Sequence, residues 1–261
     1  MPSAFICGLS GLELAPSERD FLRDARPCGI ILFARNCAEP DQVRRLVADA
    51  REALGGDALV LIDQEGGRVR RLRPPHWREL PAAASYAALY GRDPAAAVRA
   101  AHLAARLTAA DLRDLGININ CAPVLDLPQP GSHAIIGDRA YGSDVERIIV
   151  LGRAVADGLS AGGVLPVIKH IPGHGRATKD SHHDLPVVDA DRAVLDATDF
   201  APFRALADLP AAMTAHVVYT AVDPSAPASA SATVIGDVVR GAIGFQGLLM
   251  CDDLSMQALA G

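Results

Sequence analysis

The chain has 261 residues, half of them hydrophobic, 4% aromatic and 21% charged, with a formal net charge of −6. That length can bury one large core as a single α/β domain, and the interspersed charges exclude nucleic acid and anionic membrane surfaces as expected partners. No window approaches the ~18 apolar residues of a membrane span, and no basic segment precedes an apolar stretch at the start, so a cytoplasmic protein is expected.

Taken in chain order, short apolar runs alternate with longer amphipathic stretches. The runs are Ala4–Gly8, Gly29–Ala34, Ala58–Asp63, Ile117–Leu127, Val164–His170, Ala211–Tyr219 and Gly247–Asp252. Helices are expected between them over Asp41–Leu54, capped by Asp41 and closed by Gly55, and over Pro94–Leu115, closed by Gly116. Further helices are expected over Asp144–Gly158, Asp189–Leu206 and Ser231–Ile243, while the Ala/Pro/Ser stretch Pro224–Ala232 reads as a loop. The alternation argues for a parallel sheet with helical crossovers. Polar residues then decide between a doubly wound sheet and a barrel. Asp63, Asp126, Lys169-His170, His216 and Asp252 fall at the C-terminal ends of many strands, as in a barrel; a doubly wound sheet concentrates them at one switch point. The five cysteines, Cys7, Cys28, Cys37, Cys121 and Cys251, are scattered and form no CxxC pair, so buried free thiols are expected.

Four histidines and two aspartates lie between His170 and Asp184. His170 and His174 have metal-ligand spacing only on a helix, and Pro172 and Gly173 break one, so no metal is expected. Asp180 and His182 alternate across one residue, so both side chains can share a face. A carboxylate beside an imidazole fixes its tautomer and gives a proton shuttle tuned near neutral pH. Taken alone, the pair reads equally well as a solvated loop charge pair. At the end of the last apolar run, Asp252 sits at a strand tip, where a carboxylate can act as nucleophile, and Asp253 reads as the cap of the next helix. In Asp63-Gln64-Glu65-Gly66-Gly67-Arg68 the acidic start argues against a phosphate loop, and Asp63 suits sugar hydroxyls. Arg139, in a Gly-bounded loop, would by itself be read as a surface residue.

Together these segments resemble the bacterial β-N-acetylglucosaminidases of glycoside hydrolase family 3. The matching stretches are Asp63-Gln-Glu-Gly-Gly-Arg-Val, Asn120-Cys-Ala-Pro-Val-Leu-Asp126, Arg139-Ala-Tyr-Gly, Lys169-His-Ile-Pro-Gly-His-Gly, Asp180-Ser-His182 and Gly247 through Asp252-Asp-Leu-Ser-Met. The resemblance implies a (β/α)8 TIM-type barrel and a retaining two-step hydrolysis without cofactor or metal. Asp252 would be the nucleophile, and His182, held by Asp180, the acid/base. Asp63, Arg71, Arg139, Lys169 and His170 would hold the N-acetylglucosamine. The implied partner is a small-molecule carbohydrate or muropeptide, GlcNAc-anhydro-N-acetylmuramic acid with or without peptide, in peptidoglycan recycling. A monomer is expected. Members of the family continue well beyond the nucleophile, so residues 1–261 are read as a single catalytic domain short of the eighth strand and final helices. Two alternatives stay open: a phosphorylase of the same family, or a truncated remnant without catalysis.

Overall fold

The computed structural model describes residues 1–178 and 185–256. Seven strands form one sheet, each parallel to its neighbour and ordered as in the sequence. They are β1 (Ser3–Gly8), β2 (Pro27–Leu32), β3 (Leu59–Ile62), β4 (Ile119–Asn120), β5 (Leu165–Ile171), β6 (Ala211–Thr214) and β7 (Leu248–Cys251). The crossovers carry α1 (Pro16–Ala25), α2 (Pro40–Leu54), α3 (Ala83–Tyr90), α4 (Pro94–Asp114), α5 (Val145–Ala161), α6 (Arg192–Ala197), α7 (Ala201–Ala205) and a π-helix over Val234–Ala242.

Strand periodicity sorts the apolar residues into two populations. Ile30, Leu32, Val60, Ile62, Ile168 and Ala212 face the helices and join the large core cluster there. The alternate positions Ile6, Ile31, Leu61, Ile119, Val167, Met213 and Met250 form a second, separate cluster, with a member from each of the seven strands. In a flat sheet β1 and β7 would lie far apart, at about 4.8 Å per strand step, so one cluster fed by all seven strands requires a curled sheet with a filled interior. β1 and β7 are its two edges. Removing one of these inner side chains, for instance by Leu61→Ala, would cost about 2–5 kcal/mol.

Local signals set most helix ends. Asp93 caps α4 through Ala96 N–H and Asp144 caps α5 through Arg147 N–H, each at 2.9 Å. Gly55 closes α2 in the left-handed region at φ 90. Helix α2 begins at Pro40, whose ring presets a helical φ; Asp41 therefore lies inside the first turn instead of capping it.

Three expected elements differ. The run Ile117–Leu127 is strand only at Ile119–Asn120, because Pro123 has no N–H to give, although Ala122 and Pro123 carbonyls still accept from Val167 and Lys169 at 3.0 and 3.1 Å. The run Ala211–Tyr219 divides: after Thr214 the chain leaves the main sheet, and Val218–Tyr219 pairs with Val187–Val188 in a separate two-stranded sheet. The helix expected over Asp189–Leu206 is two short ones, the second starting afresh around Pro202. The cysteines are free, but Cys251 is exposed, because it lies on the edge strand β7, and only Cys121 is fully buried. Among the described residues no helix is long and apolar enough to cross a membrane.

Candidate active site

The inner row dictates what stands at the mouth. Two residues beyond Leu61 comes Asp63, two beyond Val167 comes Lys169, and two beyond Met250 comes Asp252, so the same alternation that fills the interior aims all three at its C-terminal end. At β5 the pairing register with β6 shifts between Lys169 and Ile171, a bulge that lets the consecutive residues Lys169 and His170 both serve the mouth.

After β3 the chain turns through a loop held by Gln64, whose side-chain oxygen accepts from Arg71 and Leu72 N–H at 2.9 and 3.0 Å. Gly67 has φ +56, and a Cβ there would stand 2.6 Å from that of Ala82, so the loop can approach the 80–82 segment only with glycine. This turn delivers Glu65 beside Asp63. Lys169 Nζ lies 2.7 Å from both Asp63 Oδ1 and Glu65 Oε1. Arg71 Nη2 donates to Asp63 Oδ2 at 2.9 Å. Arg139, on the 3₁₀ turn Gly137–Arg139, grips Glu65 with both arms of its guanidinium, Nε to Oε2 at 2.9 Å and Nη2 to Oε1 at 2.8 Å.

Lys169 is buried and its four partners are half-buried, and their pairings govern their protonation. Burial would raise the Asp63 and Glu65 pKa values, but Lys169 with Arg71 or Arg139 outweighs it and holds both below their ordinary range. Burial would likewise strip a proton from Lys169 and Arg139, yet the two carboxylates keep both cations above their ordinary values. At neutral pH the two carboxylates are therefore anions and Lys169 and Arg139 cations. Such a floor offers fixed donors and acceptors to a polyhydroxylated ligand without rearrangement.

Beside it runs a second chain of contacts. Asp126, fully buried, accepts from His170 and His174 backbone N–H at 3.2 and 2.7 Å and takes His170 Nδ1 at 2.6 Å. Burial works against its charge, but His170 and His174 outweigh that and bring it down to about 2. A carboxylate can only accept here, so His170 carries its proton on Nδ1 and turns Nε2 toward Asp252 Oδ2, 3.9 Å away. His174 is packed edge-on to His170, with ring centroids 5.8 Å apart; burial and then His170 push it down to about 4, so it is neutral. Gly175 completes the loop, where a Cβ would meet the Leu127 carbonyl oxygen at 2.1 Å. Among the described residues no three His, Cys, Asp or Glu side chains converge in a way that could hold a metal ion.

Asp63, Arg71, Arg139, Lys169, His170 and Asp252 thus come together. Asp253 accepts from Ser255 N–H at 2.8 Å, closing a turn; no helix for it to cap begins among the described residues. Asp180 and His182 lie outside the described residues. Sequence reasoning quoted Glu65 and Asp126 without giving them a task. The signal was present, for Glu65 continues the inward parity of Leu61 and Asp63.

Residues 8–261 match the model of the Glycosyl hydrolase family 3 N terminal domain. The chain belongs to this family. It is a glycoside hydrolase. The beta-hexosaminidase of Alkalilimnicola ehrlichii is 44% identical over 256 residues, which are 97% of this chain and 72% of that protein. A family 3 beta-N-acetylglucosaminidase from Paenibacillus sp. str. FPU-7 superposes with a TM-score of 0.91 at 38% identity over 98% of this chain, which spans 48% of that structure. NagZ from Neisseria gonorrhoeae, solved with N-trifluoroacetyl-D-glucosamine, superposes with a TM-score of 0.92 at 35% identity, covering 97% of this chain and 75% of that one.

Proposed function

We propose that the chain is a retaining β-N-acetylglucosaminidase that removes terminal β-linked N-acetylglucosamine from peptidoglycan fragments in the cytoplasm, on a (β/α)8 barrel to which the seven strands belong. The observation that carries this reading is Asp252, at a strand tip beside a preformed floor of paired charges. The names of the relatives and the N-trifluoroacetyl-D-glucosamine bound in one of them support the substrate class.

In the first step an Asp252 carboxylate oxygen attacks the anomeric carbon, the glycosidic C–O bond breaks, and protonated His182, paired with Asp180, gives its proton to the leaving oxygen. In the second, water attacks the same carbon, its proton passes to His182, and the ester bond to Asp252 breaks with overall retention. Asp63, Arg71, Arg139, Lys169 and His170 hold the sugar hydroxyls and orient Asp252. No metal or cofactor enters either step.

The test is turnover of p-nitrophenyl N-acetyl-β-D-glucosaminide and of a GlcNAc-anhydromuropeptide by the protein. Release of N-acetylglucosamine from both in a non-phosphate buffer is expected. Glycosyl phosphate formed only in phosphate buffer would replace hydrolysis by phosphorolysis, and folded protein that turns over neither substrate would overturn the reading.

A further inference from the structure

The nucleophile stands on a turn just beyond β7, on an edge strand whose outer side pairs with no strand among the described residues. His216 is buried just after β6, where the chain has left the main sheet, and its ring makes two hydrogen bonds: Nε2 to the Asp253 backbone oxygen at 3.1 Å and Nδ1 to Ser229 Oγ at 2.7 Å. A carbonyl oxygen can only accept, so Nε2 carries the proton. In the neutral ring Nδ1 then has the lone pair, and the Ser229 hydroxyl donates to it. Ser229 is itself held in place. Its loop is pinned by Ala228 N–H on the Val217 carbonyl at 2.8 Å, and Asp223 braces the same loop, accepting from Ser225 N–H at 2.9 Å and from Ser231 Oγ at 2.5 Å. Asp252 is joined to the same turn, its Oδ1 accepting from Asp253 N–H at 2.9 Å.

We propose that His216, with its tautomer set by the Asp253 carbonyl and its ring held by Ser229, is a positioning residue: it grips the peptide that follows the nucleophile and holds the Asp252 carboxylate at the mouth. The Ala/Pro/Ser segment is then the outer support of the reaction centre. This rests on the reading of Asp252 as nucleophile. His216 touches no reacting atom, and the charged floor that holds the sugar lies on other strands. Its loss should therefore act on the chemical step and spare sugar binding, because displacing a reacting group by about 1 Å costs on the order of 100-fold in rate.

Two measurements test it on the whole protein. The first compares kcat, KM and inhibition by N-acetylglucosamine for His216→Leu, His216→Gln and wild type. His216→Leu should lower kcat by about 10- to 100-fold with KM and inhibition within about 2-fold. His216→Gln, whose side-chain N–H can reach the same carbonyl, should recover most of that loss. A fall in sugar affinity equal to the fall in kcat, or no rescue by Gln, would mean a merely structural role and overturn the proposal. The second needs no turnover. Nitrogen-15 spectra of labelled histidine should show His216 as the Nε2–H tautomer in the wild type and in Ser229→Ala alike, since the Asp253 carbonyl remains its partner. A wild-type Nδ1–H tautomer overturns the tether even in an active enzyme. An inactive wild type with the expected tautomer overturns the hydrolase reading and, with it, the catalytic role of the tether.

Discussion

Glu65→Gln is the sharpest probe of the charged floor. Glu65 Oε1 serves Lys169 and Arg139 Nη2 at 2.7 and 2.8 Å, while Oε2 serves Arg139 Nε at 2.9 Å. An amide can replace one of these oxygens but not both. Turned one way, its NH2 faces Arg139 Nε–H; turned the other, it faces Lys169 and Arg139 Nη2. The cations left behind are poorly hydrated, with side chains only 3% exposed for Lys169 and 11% for Arg139. Breaking a buried pair in this way costs about 3–5 kcal/mol, and since Lys169 keeps Asp63 the lower end applies, about 3 kcal/mol. Urea unfolding at pH 7 should show it as a midpoint lowered by ~1 M, taking an m value of ~3 kcal/mol/M. N-acetylglucosamine affinity should weaken too, since Arg139 and Lys169 lose their fixed positions. A loss below about 1 kcal/mol with unchanged sugar affinity would mean that Glu65 does not hold the two cations in place.

Asp126→Asn keeps an acceptor for the two backbone N–H groups but offers N–H to His170 Nδ1, forcing the opposite tautomer; kcat should fall at least ~100-fold, which steady-state kinetics checks. Burial holds His174 down at about 4 from an ordinary 6.5, so between those values the unfolded chain binds the extra proton and stability falls as the solution is acidified. From pH 7 to pH 5 this residue should remove about 2 kcal/mol of stability, a slope that His174→Gln abolishes when urea midpoints are compared at the two pH values; equal slopes in both proteins would contradict it.

The sequence was most legible where period-two alternation and a parallel strand order act together. Asp63, Lys169 and Asp252 are strand-end residues in phase with an apolar inner row, and that phase alone predicts that they meet. Arg139 lies on a turn between elements, so only the resemblance assigned it; its buried partner Glu65 explains why it is not a surface arginine. Asp126 and His216 were visible as strand-end polar residues, but their tasks depend on partners 44 and 37 positions away, His170 Nδ1 and the Asp253 carbonyl, which no local pattern encodes. Helix α3 was missed because apolar residues lie on every side of Ala83–Tyr90, giving no 3.6-residue rhythm to read. The break in Ala211–Tyr219 was hidden because the run stays apolar while its hydrogen-bonding partner changes from β5 to Val187–Val188.

The proposed mechanism passes through a covalent sugar ester on Asp252. It is tested most directly by incubating the protein with a 5-fluoro-N-acetylglucosaminyl fluoride, whose second step is slow, and mapping the adduct by peptide mass spectrometry. One added fluorosugar is expected on the peptide carrying Asp252, and none in Asp252→Asn. Continued turnover with no adduct, as when the substrate's own acetamido group attacks, or an adduct on another carboxylate, would contradict it.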